Sequence, residues 1–95
     1  MPLASHDGAR YEVFFRPSAD RALRQMPTDA QRRIVLAVAQ LADEPRPPGV
    51  VKLAGGENLW RIRVGIYRVV YDIHDDRLVV LVLRVAHRKD VYRGG

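Results

Sequence analysis

The sequence predicts an α+β fold of order βααβββ, with a helical hairpin packed on one face of a mostly antiparallel sheet of about four strands. Three observations carry this. Apolar residues recur at helical spacing between residues 17 and 41. Before and after that stretch the pattern switches to the alternation of strands. The run 78–86 is apolar on both faces, as a central strand is. Strands grouped around a pair of helices, rather than alternating with single helices, place the helices on one side of the sheet.

The elements follow in order. Residues 1–10 carry Pro, Ser, Gly and Asp without periodicity and read as a flexible leader to a single domain over 11–95. "YEVFF" puts Tyr11, Val13 and Phe15 on one face of a first strand. Pro17 suits the first turn of a helix, where its missing N–H has no intrahelical partner to lose. Ala19, Ala22, Leu23 and Met26 continue that helix and Pro27 ends it. Thr28 opens the next, with Gln31 at the spacing of a capping box. Ala30, Ile34, Ala37, Val38 and Leu41 form its apolar stripe, and "DEPRPPG" stops it. "VVKLAGG" is a short extended piece ending in a glycine turn. In "LWRIRVG", Leu59, Arg61 and Arg63 point one way and Trp60, Ile62 and Val64 the other. Gly65 permits a tight turn into "IYRVVYDI", where Arg68, Val70 and Asp72 oppose Tyr67, Val69, Tyr71 and Ile73. "HDDR" is the next turn, and the strand over 78–86 closes the sheet.

Composition narrows the function. A chain of 95 residues supports one modest core. The charged fraction is 28%, and no apolar run approaches the ~20 residues a bilayer needs. The start lacks the apolar segment of a signal peptide, so a cytoplasmic protein without a membrane partner is expected. There is no cysteine, which excludes disulfides and thiolate zinc sites. A net charge of +5 and a pI near 10.2 favour polyanions, and an acidic protein partner fits equally well.

The sheet face away from the helices must be solvated or hold a ligand. Arg61 and Arg63 share it, Arg68 follows on the next strand, and His87, Arg88 and Tyr92 arrive from the end of the last. If the strands pair in sequence order, these groups converge on one positive surface. Such a surface suits RNA backbone cleavage by the adjacent 2′-hydroxyl, which needs a base, an acid and cations for the phosphoryl oxygens. No metal or cofactor is needed, and dispersed histidines without a His/Glu pair at ligand spacing supply no metal site. Plainer readings stand beside this one. Arg61 and Arg63 fit an ordinary solvent face, Arg68 a pair with Asp72, His87 a strand-end histidine, Tyr92 a packing aromatic and Lys52 a solvated loop cation. Trp60 and Tyr71 read as core.

The stretches "YEVFFRPSADRALRQMP", "VKLAGGENLWRIRVGIYRVVYDI" and "VAHRKDVY" resemble the RelE/ParE superfamily of bacterial toxins, and more narrowly its RelE branch, over Tyr11 to Tyr92. The resemblance implies a type II toxin–antitoxin toxin with a βααβββ fold, acting as a ribosome-dependent mRNA endoribonuclease that inhibits translation. It implies catalytic roles for Arg61, Arg68, Arg88 and Tyr92, with His87 competing for proton transfer. Substrate contacts fall to Lys52, Arg61, Arg63 and Lys89. In the family the terminal-motif arginine donates the proton and the tyrosine abstracts it. Tyrosine, with a reference pKa of ~10, is a poor base at neutral pH unless cations favour its phenolate. Arginine is a weak acid but a strong planar phosphate clamp. Imidazole is better tuned near pH 7. Two departures stand out. The basic pair, lysine in the best-known members, is here Arg61 and Arg63. The sequence also stops three residues after Tyr92, so the C-terminal helix of some relatives is not expected and the site should be bare.

Two other classes stand beside the nuclease, although ParE-like members generally lack the arginine and tyrosine constellation present here. A ParE-like toxin has the same fold but poisons DNA gyrase without cutting RNA. A catalytically inactive basic binding module is the third reading. Either toxin reading implies a cognate RelB-like antitoxin, acidic and folding on binding, in a complex that assembles into a higher oligomer. The nuclease reading adds mRNA in the ribosomal A site and the ribosome itself.

Overall fold

A computed structural model describes residues 10–89. Apart from Arg10, the expected leader lies outside the described residues, and so does Tyr92. The chain forms β1 (Glu12–Phe15), α1 (Pro17–Arg24), α2 (Thr28–Gln40), β2 (Val51–Lys52), β3 (Leu59–Val64), β4 (Tyr67–His74) and β5 (Val79–His87). One sheet runs in the order β1-β5-β4-β3-β2. Only β1 and β5 are parallel. Among the described residues, no helix is long and apolar enough to cross a membrane.

The sheet has five strands rather than the expected four. The addition is β2, where Val51 pairs with Arg61 and Lys52 with Trp60. Two residues are too few to show an alternation, so the segment read only as extended. The capping box also differs. Pro27 occupies the N-cap position of α2 and no side chain caps it. The cap thus falls one residue earlier than the sequence pattern implies, which puts Ala30 rather than Gln31 at the N3 position and leaves no side chain to complete the box. Gln31 instead donates to the Met26 carbonyl at 2.8 Å and the Arg24 carbonyl at 3.3 Å, closing the end of α1.

The core lies between the helices and one sheet face. Ala19, Leu23, Ile34, Val38 and Leu41 meet Ile62, Val64, Val69, Tyr71, Ile73, Val80, Val82 and Val85. No charged or polar residue is buried among the described residues. The helical hairpin therefore satisfies one face by apolar burial alone.

Three local features position the rest. Gly65 has φ 60° and stands first in the two-residue turn between Val64 and Tyr67, the place a type II′ hairpin gives to glycine. The Arg88 amide donates to the Ile66 carbonyl of that turn at 2.7 Å, tying the end of β5 to it. At the opposite end the turn spans 75–78 rather than "HDDR": His74 still pairs with Val79, and Leu78 takes the left-handed φ of 55°. A bulge lies between them. Val70 pairs with Arg84 but Tyr71 pairs with Val82, so Leu83 is an extra residue on β5. The bulge reverses the pleat phase of β5. Val80 and Val82 face the core before it and Val85 after it, which leaves Arg84 and Ala86 on the open face.

The loop after α2 is fastened to the far end of the sheet. Arg46 grips the Asp75 carboxylate with two guanidinium nitrogens at 2.8 and 3.2 Å, and the Tyr11 hydroxyl donates to the same carboxylate at 2.6 Å. Arg46 lies 5.0 Å from the centre of the Trp60 ring. The buried Tyr71 hydroxyl donates to the Pro45 carbonyl at 2.7 Å.

Candidate active site

Paired residues of neighbouring strands share a face. The register therefore writes two rows across the open sheet: Arg63, Arg68 and Ala86 in one, and Arg61, Val70 and Arg84 in the next. Their opposite faces are anchored in the core through Ile62, Val64, Val69 and Val85, so the pleat itself aims the guanidiniums outward. Arg88 follows in the turn after β5, held near the row by its backbone bond to Ile66.

The cations feel one another. The Arg68 guanidinium is held below its ordinary value, first by burial and then by repulsion from Arg63, Arg61 and Arg88. Its Nη1 donates to the Tyr67 carbonyl at 3.4 Å, while its buried Nε has no hydrogen-bond partner among the described residues. None of Arg63, Arg68 and Arg88 pairs with a carboxylate among the described residues. The pairing of Arg68 with Asp72 is accordingly not formed, and Asp72 instead lies 3.9 Å from the His74 Nε2. Crowded planar donors without carboxylate partners form a site for an anion with several oxygens, such as a phosphodiester.

The expected convergence does not extend to His87. Its strand partner is Tyr67, and the two rings meet edge to face at 6.0 Å, on the side of the sheet that the helices cover. Its Nδ1 accepts from the Lys89 amide at 3.1 Å, which makes the ring part of the turn. The bulge is the cause: without Leu83 as an extra residue, His87 would face the cations. Lys89 is exposed in that turn. Lys52 is also off the cation face. It shares the Trp60 side, with its Nζ 5.2 Å from the ring centre and bonded to the Glu57 carbonyl. Arg84 was absent from the residues picked from the sequence, yet it lies in the row with Arg61. A lone cation inside an apolar strand was the available signal.

The ParE toxin family of type II toxin–antitoxin systems (parDE) matches residues 13–92. Toxin RelG of Mycobacterium tuberculosis is 34% identical over 84 residues, covering 87% of this chain and 97% of that protein. Toxin RelE3 of Methanocaldococcus jannaschii is 28% identical over 85 residues, covering 85% and 94%. Among solved structures, the archaeal RelE–RelB complex from Pyrococcus horikoshii aligns with a TM-score of 0.76 at 30% identity, covering 86% of this chain and 99% of that one. The RelBE2 toxin–antitoxin complex of Mycobacterium tuberculosis aligns at 0.73 and 32%, covering 86% and 95%. The chain thus belongs to the ParE toxin family of the RelE/ParE superfamily, as a RelE-like toxin of a type II toxin–antitoxin system.

Proposed function

We propose that this toxin is a metal-independent endoribonuclease that cuts mRNA in the ribosomal A site and so stops translation. The observation that carries the reading is the crowding of Arg61, Arg63 and Arg88 around Arg68 on an open face. A phosphodiester there relieves their mutual repulsion, and the dianionic transition state of 2′-hydroxyl attack relieves it further. Arg61 and Arg63 hold the non-bridging oxygens, and Arg68 and Arg88 stabilise the charge as it grows. The leaving 5′ oxygen takes its proton from Arg88, the role the family gives its terminal-motif arginine, or from water. Tyr92, which lies outside the described residues, is the base that takes the 2′ proton in this scheme. His87 faces away and is not given the base role; Lys89 supplies further charge at the rim. Lys52, on the other side of the sheet, is not given a substrate contact.

Structural relatives form complexes with RelB antitoxins. By extension this toxin is neutralised by a cognate acidic antitoxin that covers the cation face, in a complex that assembles further. The cytoplasm is where such a target lies.

Primer extension on a defined mRNA, with and without 70S ribosomes, tests the reading. Cuts are expected only with ribosomes, and Arg88→Ala and Tyr92→Ala should lose them at least a hundredfold while ribosome binding remains. Because the matching family is described by the gyrase-poisoning branch, gyrase inhibition is the second reading. No cuts under any condition, with supercoiling activity of gyrase blocked, would establish it instead.

A further inference from the structure

Beside the cation rows lies a groove. β1 pairs with β5 only from Val79 to Val82, and the Arg16 amide donates to the Val82 carbonyl at 2.8 Å as that edge ends. Beyond this point α1 takes the place of a strand next to β5. Between α1 and the open sheet face is a cleft of about 620 Å³. Arg16 and Ser18 line one side, Leu59, Val70 and Ala86 the sheet side, and Arg84 is among them. Val70 is the strand partner of Arg61, and Ala86 that of Arg68. Cleft and arginine cluster are therefore one continuous surface.

We propose that this cleft seats the unpaired nucleobase next to the scissile phosphate, with Arg84 as its positioning residue. The inference rests on the nuclease reading above. An RNA strand alternates a flat, partly apolar base with a phosphate. A phosphate on Arg61 and Arg68 must deliver a neighbouring base within reach of the next positions along the same rows. Unpaired bases are held by apolar walls and by the faces of guanidiniums, and both are here. A purely phosphate-binding surface would have no use for Leu59 and Val70. A purely apolar docking groove would not place Arg16 and Arg84 at its sides.

The test uses 70S ribosomes programmed with a panel of A-site codons, comparing wild type, Arg84→Ala and Arg84→Lys. Arg84→Ala should raise the toxin concentration for half-maximal cleavage about fivefold, the low end of what stacking on one base is worth. It should flatten the differences among codons, with the rate at saturation changed less than about threefold. Arg84→Lys should keep the salt dependence of binding but not the codon differences, because an ammonium has charge without a stacking plane. A purely structural role would instead lower the melting temperature and be rescued by lysine. Should the alanine variant fail to fold, the lysine variant decides alone. Wild-type cleavage with an unaltered codon profile in both variants overturns the base seat and leaves the nuclease reading standing. Unaltered cleavage with loss of binding to the co-expressed antitoxin overturns it in favour of a protein segment. No cleavage by wild type removes both readings.

Discussion

Replacing Arg63 by glutamine should make the protein more stable and less active. Arg63 stands directly across from Arg68 on the next strand, and Arg61 and Arg88 add to the same field. Like charges facing each other across a strand pair destabilise a sheet. Both ends reach water, so the lower part of the usual range applies. A domain of this size moves roughly 4–8 °C for each kcal/mol. The expected gain in melting temperature is then roughly 1 to 4 °C in low-salt buffer at pH 7. Glutamine is shorter than arginine but keeps a neutral hydrogen-bonding end, so the same replacement at a site away from the cluster is needed to isolate the charge. Thermal unfolding at 20 mM and 1 M salt reads the effect. The gain should vanish at 1 M, where screening acts over about 3 Å. Arg32→Gln, the same charge change on the exposed side of α2, is the control and should move the midpoint little. An unchanged or lower midpoint at low salt, or a gain that survives 1 M salt, would refute the reasoning that the cluster is electrostatically strained. The same variant should cleave programmed ribosomes at least tenfold less efficiently.

Tyr71→Phe removes the hydroxyl bonded to Pro45 while keeping the fully buried ring, and should cost about 1–1.5 kcal/mol, read as a drop in urea midpoint at unchanged slope. The Asp75 carboxyl is held below the usual range by hydrogen bonds from Arg46 and Tyr11. Its pKa is lower folded than unfolded, so its stabilisation is complete above the unfolded value of ~3.9 and fades as pH falls toward the folded one. Asp75→Asn should accordingly be less stable than wild type at pH 7 by under ~1 kcal/mol, since the carboxylate is half exposed. The two melting curves should approach each other as pH falls below about 4, and a gap that widens on acidification contradicts the assignment. Gly65→Ala puts a side chain at φ 60° in the two-residue turn and should lower stability by about 1 kcal/mol or more in the same melts.

Much of this fold was legible because single positions in the sequence carry a strong pattern. Trp60, Ile62 and Val64 against Arg61 and Arg63 settle which way β3 faces, and Val69, Tyr71 and Ile73 do the same for β4. That is why three of the open-face arginines could be named in advance. β5 resisted for a definite reason. With valine and leucine on both sides, its run gives no phase, and one bulged residue exchanges the faces of everything after it. Arg84 was missed and His87 was grouped with the cations through that single residue. β2 was too short to declare itself, and the capping pattern at Thr28 ignored that a proline precedes it.

The division between the two sheet faces explains how a small basic domain tolerates its own charge. Among the described residues, the buried side chains of the helix side are apolar, with the Tyr71 hydroxyl satisfied by Pro45 and the Trp60 Nε1 left without a partner. The arginines of the other side contribute repulsion, and their backbone is held by the very strands whose inward side chains make the core. The backbone positions of the cations are thus fixed before any ligand arrives. An anion that binds has only side chains to reorganise, not the strands that carry them, which favours electrostatic stabilisation of a transition state. The same strain gives any polyanionic or acidic partner a folding advantage to release, because a ligand that binds only the native state stabilises it in proportion to the logarithm of its concentration. Antitoxin and RNA would therefore compete for one store of free energy, and a variant such as Arg63→Gln that empties part of it should weaken both.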